Sequence, residues 1–186
     1  MKRIFDVVFA VLALSVLFFP CFMIAVLVKL TSKGPIIFWS DRVGKNNVIF
    51  KMPKFRSMHI DAPSVATHLL FEPKRFYTPI GGLLRKSSLD EFPQFWSIIK
   101  GDMSLVGPRP ALFNQADLIA LRTEKGTHGL LPGLIGWAQI NGRDELSILQ
   151  KVDLDDHYLQ NQSMCLDVRI ILLTLIQVWK KIGISH

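Results

Sequence analysis

The sequence predicts a membrane-attached α+β protein that is mostly α-helical with one small β-hairpin. Three features of the chain support this expectation. An uncharged apolar run lies near the N-terminus, a turn-forming Gly-Lys-Asn-Asn segment separates two short apolar stretches, and helix-length segments alternate with glycine- and proline-rich ones.

Composition narrows the class of protein further. The 186 residues are 49% hydrophobic and 20% charged, with a net charge of +7. A chain this apolar is not intrinsically disordered. Its two cysteines, Cys21 and Cys165, lie far apart and indicate neither a disulfide framework nor a metal site. An apolar, basic protein fits an anionic membrane surface better than it fits nucleic acid.

The membrane segment is the uncharged run from Val7 to Val28, which is long enough to cross a bilayer core of roughly 30 Å. No small-residue cleavage site follows it, which argues against a signal peptide. Pro20 interrupts the run, and both flanks are basic. Two arrangements fit these features: a re-entrant helix that breaks at Pro20 and returns to the same side, or a kinked helix that crosses the membrane.

The remaining elements follow from breakers and periodicity. The spacing predicts a β-hairpin over 36–52, helices over 88–100, 111–125 and 147–160, and loops over 59–80, 105–110 and 129–143. Near the C-terminus, residues 168–181 contain an apolar run too short to span a membrane, bounded by cations and Trp179. This segment fits a helix lying in the membrane interface and fits a buried core helix equally well.

Two adjacent acids, Asp90 and Glu91, follow Ser88 at the start of a predicted helix. The ordinary interpretation is a capping box, in which Ser88 caps the helix and Glu91 returns the hydrogen bond. The neighbouring cations favour a chemical role instead. Arg85 lies just upstream, and Arg109 is held between two prolines in Gly-Pro-Arg-Pro.

Carboxylates beside cations suggest phosphoryl transfer, because a carboxylate can attack phosphorus once positive charge has neutralised the substrate. Lys54 adds to that positive charge. The sequence has no GxxxxGK[ST], GxGxxG or HExxH motif, so the usual nucleotide and zinc signatures are missing. A second glycine-rich segment, residues 132–143, offers hydrogen-bonding groups at Gln139, Asn141 and Arg143, and it fits a structural loop as well.

Taken together, five segments resemble the bacterial sugar transferase family, and specifically its small monotopic polyprenol-phosphate phosphoglycosyl transferases. The resemblance covers nearly the whole chain in order. The segments are KRIFD (2–6), KFRSM (54–58), LRKSSLDEFPQ (84–94), KGDMSLVGPRP (100–110) and PGLIGWAQINGR (132–143).

The resemblance implies transfer of a phosphosugar from a UDP-sugar to polyprenol phosphate, with release of UMP, as the first membrane step of a bacterial glycan pathway. It implies that Asp90 is the nucleophile and contacts Mg²⁺, and that Glu91 positions or activates the acceptor phosphate. By the same resemblance Arg109 binds phosphate, and Lys54 and Arg85 are further basic residues near the active site that bind phosphate or substrate. The donor nucleotide-sugar is expected at a set of three side chains: Gln139, Asn141 and Arg143.

The resemblance also favours the re-entrant form of the N-terminal segment. It implies a membrane unit over 1–33, kinked at Pro20, and a catalytic domain over 34–186 with an interfacial C-terminal helix. The expected location is the cytoplasmic face of the bacterial inner membrane, with membrane lipids and downstream glycosyltransferases as candidate partners. The family often has serine before the kink proline, where this chain has Phe19, so Ser15 is a candidate for stabilising the kink.

Two alternatives from other classes follow from composition. A non-catalytic membrane-anchored adaptor with a basic face for anionic lipid explains the charge and the apolar run, but it does not explain the paired acids. A nucleic-acid binder is disfavoured, because the chain has no recognisable basic-aromatic module or helix-turn-helix pattern.

Overall fold

The computed structural model describes residues 1–63, 72–142 and 145–180. It confirms a mostly helical protein with small sheets. The helices are α1 (Lys2–Thr31), α2 (Gly81–Lys86), α3 (Gln94–Lys100), α4 (Ala116–Glu124), α5 (Trp137–Ile140), α6 (Ile148–Gln160) and α7 (Met164–Lys180). The strands are β1 (Ile37–Val43), β2 (Ile49–Phe55), β3 (Ser104–Val106) and β4 (Gly133–Ile135).

The predicted hairpin is present as the antiparallel pair β1–β2. Asn46 and Asn47 form its turn with positive φ angles of 54° and 61°, a conformation that asparagine tolerates better than most residues. In the register of the pair, Phe38 lies opposite Lys54, and Arg42 lies opposite Phe50. The hairpin therefore extends three residues beyond the predicted end, to Phe55.

Two of the predicted loops contain structure. β3 and β4 lie in the glycine- and proline-rich segments and pair in parallel, with Ser104 opposite Gly133 and Val106 opposite Ile135. α5 follows directly after β4. Each strand is only three residues long, so neither shows an alternating pattern that sequence could reveal. The pair brings the two glycine-rich segments side by side.

The helix expected over 111–125 begins later, at Ala116. Before it, the chain runs along β1: the Val43 N–H donates to the Ala111 carbonyl at 2.9 Å, and Leu112 bridges to Arg42. α6 matches its prediction, because Ser147 and Gln150 form a reciprocal capping box at its start.

α1 is assigned as one helix through Pro20, and by length and composition alone it could cross a membrane. Its buried residues lie toward its two ends, Asp6 and Ala10 at one and Ile24 and Val28 at the other. Between them the large apolar side chains are mostly exposed. The Ser15 hydroxyl donates to the Val11 carbonyl at 2.9 Å, so it does not serve the Val16 carbonyl that Pro20 leaves without a donor.

Both ends of α1 bind the rest of the protein through polar contacts. The Arg3 guanidinium donates to the Ile98 and Ile99 carbonyls at the end of α3, at 2.6 and 2.9 Å. At the other end, the Arg56 guanidinium donates to the Ser32 carbonyl at 2.9 Å. Carbonyls at a helix C-terminus lack intrahelical donors, so each arginine satisfies groups that would otherwise need water.

α7 has two different faces. Ile170 and Asp167 are fully buried, whereas a second face is apolar and exposed at Val168, Leu172 and Leu175. An ordinary core helix would bury both faces, so the structure leaves an apolar surface that suits a membrane interface. The side chains of Trp179 and Lys180 and all of residue 181, which supported that expectation, lie outside the described part of the chain.

We expect Asp167→Asn to lower the free energy of unfolding by roughly 3 kcal/mol. Asp167 is 1% exposed and accepts hydrogen bonds from Lys2 at 2.6 Å and from the Tyr158 hydroxyl at 2.6 Å. Its loss leaves the Lys2 ammonium without its anion. Thermal unfolding of the purified chain in detergent measures the effect.

The matched control is Asp41→Asn, which removes an exposed pair with Lys51. Exposed pairs contribute about 0–1 kcal/mol, so this variant should unfold close to the unmodified protein. Equal losses in the two variants would show that the Asp167 cluster does not hold α1 and α7 together.

Candidate active site

Asp90 and Glu91 lie in a short 3-10 turn, Leu89–Glu91, rather than in the first turn of a long helix. Ser88 adopts a left-handed conformation at φ 57° and makes no side-chain capping bond. The capping-box interpretation is therefore wrong, and the helix expected over 88–100 is divided. α3 begins only after Pro93, which can enter a helix at its start but not within it. The turn leaves both carboxylates available for other contacts.

Glu91 forms the centre of an ion cluster. Its Oε1 atom accepts from Lys54 Nζ at 2.8 Å and from Arg109 Nη2 at 2.7 Å. The Glu91 side chain is only 14% exposed. Burial by itself would raise the pKa of this carboxyl, but the charges and hydrogen bonds of Arg109 and Lys54 outweigh it and hold the pKa well below its usual range. Glu91 is therefore a carboxylate at any ordinary pH.

Asp90 has the opposite environment. It is 5% exposed, and with the described residues it makes no hydrogen bond and no ion pair. Burial raises the pKa of its carboxyl, and the positive charge of Lys54 only partly opposes that effect. A buried carboxylate with no partner is expensive to keep, and adjacent acids with opposed pKa shifts are typical of functional sites.

The cations of the site are themselves partly desolvated. Burial lowers the pKa of Lys54, although the Glu91 charge works against the change. Burial and the nearby Arg109 charge lower the pKa of Arg42 to about 10. Positive charge thus exceeds negative charge in a poorly solvated region, which favours the binding of an anion.

Two other arginines fix the backbone around Arg109. The Arg122 guanidinium donates to the Arg109 carbonyl at 2.9 Å, and the buried Asp155 carboxylate fixes Arg122 in turn at 2.6 Å. On the other side, Arg42 donates to the Pro110 carbonyl at 3.2 Å. These bonds add to the stiffness expected from the flanking prolines.

Sequence reasoning missed Arg42 and Arg122. Arg42 shares a face of the hairpin with Lys54, since side chains alternate along a strand and directly opposed residues lie on the same face. Register alone could have identified it. Arg122 had no such signal, because its role depends on the tertiary contact with Asp155.

A cavity of about 730 Å³ brings most of the predicted site residues together. Lys54, Asp90, Glu91 and Arg109 line it near the dyad. Arg85, from α2, lines it too and lies with its guanidinium 5.3 Å from the centre of the Tyr77 ring. A space of this size is large enough for a nucleotide-sized ligand.

The three residues expected to bind the donor do not share one position. Gln139 lines the cavity; its Nε2 donates to the Leu134 carbonyl at 3.3 Å, and its Oε1 is buried without a donor among the described residues. Asn141 is not among the cavity-lining residues, and its amide donates to the Trp137 carbonyl at 2.8 Å. Arg143 lies outside the described residues.

The cations that line the cavity beside Asp90 and Glu91 suit the binding of a phosphate ester, and comparison with known proteins identifies the family. A family model described as bacterial sugar transferase matches residues 1–181. The chain belongs to this family.

Individual relatives agree with this assignment. The chain is 41% identical to the uncharacterized sugar transferase EpsL of Bacillus subtilis, over all of this chain and 91% of that protein. It is 38% identical to the UDP-glucose:undecaprenyl-phosphate glucose-1-phosphate transferase of Escherichia coli, over 94% of this chain and 39% of that protein. It is 37% identical to the UDP-N-acetylgalactosamine-undecaprenyl-phosphate N-acetylgalactosaminephosphotransferase of Aeromonas hydrophila, over 94% and 42% respectively. The chain thus spans most of some relatives and less than half of others.

The opposed environments of the two acids predict opposed effects on stability at neutral pH. Because the pKa of the Asp90 carboxyl is higher in the folded state than in the unfolded state, its ionised form opposes folding at neutral pH. Asp90→Asn should therefore raise the free energy of unfolding by on the order of 1 kcal/mol, and with it the thermal midpoint. The depressed pKa of Glu91 means that its carboxylate stabilises the fold above its unfolded-state pKa. Glu91→Gln should therefore lower stability by roughly 3 kcal/mol, because Lys54 and Arg109 lose their anion.

Thermal unfolding of both variants in the same detergent measures the difference. The Glu91 contribution should decline as pH falls below the unfolded-state pKa of this carboxyl, and it should vanish below the depressed folded-state pKa. A loss of stability in Asp90→Asn as large as that in Glu91→Gln would contradict the description of Asp90 as a carboxylate without a partner among the described residues.

Proposed function

We propose that this protein transfers a phosphosugar from a UDP-sugar to a polyprenyl phosphate, releases UMP and forms a polyprenyl-diphosphate-sugar. The observation that carries the proposal is the buried Asp90 carboxylate, which has no partner among the described residues and faces a cavity lined by cations. The named relatives from Escherichia coli and Aeromonas hydrophila, which join UDP-sugars and undecaprenyl phosphate, support the same reaction. This would be the first membrane step of a bacterial glycan pathway.

In the first step, an Asp90 oxygen attacks the phosphorus that carries the sugar. A bond forms between that oxygen and phosphorus, the phosphoanhydride bond breaks, and UMP leaves with the electron pair. A raised carboxyl pKa makes Asp90 a better nucleophile than an ordinary aspartate. Lys54 and Arg109 lower the electrostatic cost of bringing a carboxylate to a diphosphate.

In the second step, a phosphate oxygen of the polyprenyl phosphate attacks the same phosphorus, and the Asp90 carboxylate leaves. This restores the enzyme and produces the lipid diphosphate, so the scheme is ping-pong. Glu91 serves this step by holding Lys54 and Arg109 in a fixed arrangement, in which their positive charges position the acceptor phosphate. Arg85 and Gln139, which also line the cavity, are proposed to bind the donor; Asn141 and Arg143 stay predictions.

Magnesium is proposed as the cofactor. The described residues contain no group of three or more His, Cys, Asp or Glu side chains that could hold a metal ion. Mg²⁺ commonly binds through one or two carboxylates together with substrate phosphates and water. Asp90 offers a buried carboxylate that has no partner among the described residues, so the residues fit an ion that arrives with the diphosphate. Bound there, Mg²⁺ would neutralise charge on the phosphates.

We propose that α1 is re-entrant, so that the protein is monotopic and its catalytic part lies at the cytoplasmic face of the inner membrane. Contacts at Arg3 and at Ser32 tie both ends of α1 to the same catalytic body, while its exposed apolar side chains lie mainly between them. Because both ends of α1 are bound to one body and the apolar side chains between them are exposed, α1 suits insertion into a single leaflet. The exposed apolar face of α7 would lie in the same interface.

The purified protein should release UMP from a UDP-sugar when polyprenyl phosphate and Mg²⁺ are present. UDP-glucose and UDP-N-acetylgalactosamine are the first donors to test. Asp90→Asn should reduce turnover at least about a thousandfold and abolish the covalent phosphosugar adduct detectable by mass spectrometry of the intact protein. Chelation of Mg²⁺ should stop turnover reversibly.

Asp117→Asn, which changes an exposed aspartate on α4 outside the cavity, is the matched control and should retain activity. Full turnover in Asp90→Asn would disprove the covalent scheme while leaving the reaction intact. Failure across a broad donor panel, combined with tight binding to anionic liposomes, would favour the membrane adaptor instead.

Cysteine labelling tests the re-entrant arrangement. In a background of Cys21→Ala and Cys165→Ala, single cysteines at exposed Ile4 and Lys33 should both react with an impermeant maleimide only from the cytoplasmic side. A variant that keeps only exposed Cys165 reports the side of the catalytic part. Reaction of positions 4 and 33 from opposite sides would establish a crossing helix.

A further inference from the structure

The cavity that contains the dyad is lined by both cations and apolar side chains. Among the cations are Arg42, Arg122 and Lys151, from β1, α4 and α6. A group of apolar residues, Ile37, Phe38, Met58 and Ile60, lines it near the open end of the hairpin, where Ile37 lies opposite Phe55, and Arg56 and His59 belong to the same stretch of chain. Asp90 and Glu91 also line this cavity.

We propose that the apolar end, defined by Ile37, Phe38, Met58 and Ile60, binds the first isoprene units of the polyprenyl phosphate. This inference rests on the proposed function and extends it by assigning the lipid tail to a specific part of the cavity. The nucleotide of the donor is thereby assigned to the rest of the cavity, which includes Arg42 and Arg122.

The position of Phe38 places an apolar ring beside the phosphate-binding groups. Phe38 lies directly opposite Lys54 in the β1–β2 register, so the two side chains share one face of the hairpin. Lys54 in turn holds Glu91 at 2.8 Å. A molecule with an anionic head at Lys54 and an apolar tail beside it matches this pairing. Further along the same face, Ser40 and Arg42 change the surface from apolar to cationic.

The position of Ile60 connects the apolar end to the membrane helix. A Cβ placed at Gly34, just beyond the end of α1, would lie 3.0 Å from Cγ2 of Ile60. Arg56 fixes the start of the same loop to α1 by donating to the Ser32 and Lys33 carbonyls. Ile60 therefore lies beside the point where the chain leaves α1, next to the Arg56 guanidinium, so the apolar end of the cavity adjoins the end of this helix.

The exposure of the apolar residues in this group also supports a lipid-binding role. Phe38 is 46% exposed, and Ile60 is more exposed still. Isolated exposed apolar residues are common, but here Phe38 and Ile60 line the same cavity as Lys54, Asp90 and Glu91. The aliphatic side chains of Ile37 and Ile60 suit a flexible isoprenoid chain.

The first test separates the two half-reactions. With the full chain in detergent, Phe38→Ser should raise the KM for undecaprenyl phosphate about tenfold. UMP release in the absence of acceptor, which needs only the donor, should be unchanged. Ile60→Ser should act in the same direction. The matched control is Phe113→Ser, because Phe113 is 47% exposed and does not line the cavity, so neither half-reaction should change.

The second test needs no sugar transfer. The unmodified protein should bind geranyl phosphate more tightly than methyl phosphate, and Phe38→Ser should remove most of this difference while leaving methyl phosphate binding intact. These affinities can be measured by calorimetry in the same detergent. If the protein releases no UMP from any donor but still shows this preference, the proposed function fails and the apolar subsite stands.

Two results would overturn the inference. One is a Phe38→Ser variant that slows UMP release without acceptor as much as it slows turnover, which would place the nucleobase against Phe38. The other is equal binding of geranyl and methyl phosphate by the unmodified protein. In either case the UMP assay still reports separately on the proposed reaction.

Discussion

The ion cluster around Glu91 is the interaction on which the rest of the site depends. One buried carboxylate binds Lys54 from the hairpin and Arg109 from the proline-flanked loop, so it joins two parts of the chain that are distant in sequence. Burying these charges has a large desolvation cost, and the cluster is tolerable only because each charge has a partner. The cluster matters for position, because it holds Lys54 and Arg109 beside Asp90 while both cations bind Glu91.

That selectivity explains why two adjacent acids behave differently. If Lys54 paired with Asp90, the carboxylate would be stabilised and would be a weaker nucleophile. Because Lys54 and Arg109 donate their hydrogen bonds to Glu91, they interact with Asp90 only through longer-range electrostatics. Burial therefore has the largest effect on the pKa of Asp90. This difference between the two acids depends on the left-handed backbone conformation of Ser88 and on the start of α3 after Pro93, since a regular helix from Ser88 would use the acids for capping.

Sequence predicts the features whose cause is local. The Asn46–Asn47 turn and the capping box of α6 depend on neighbouring residues, and both are readable in advance. The β3–β4 pair is not, because three-residue strands have too little pattern and gain stability only from each other. Arg122 belongs to the same group, since its importance arises from Asp155, 33 residues away. The dyad was recognisable through its motif, but its electrostatic asymmetry required the fold.

The contacts at the two ends of α1 also bear on how two proposed substrates of different solubility reach one site. In the proposed reaction, a donor that is dissolved in water and an acceptor that is anchored in lipid must meet at one phosphorus atom, so the site has to lie where both phases are accessible. Ion pairing of Lys2 with Asp167 and the contacts of Arg3 with α3 attach the start of α1 to the catalytic body. Arg56 attaches its end. If α1 is re-entrant as proposed, then with both ends bound its depth in the bilayer also sets the depth of Asp90, so membrane insertion would help to position the proposed nucleophile.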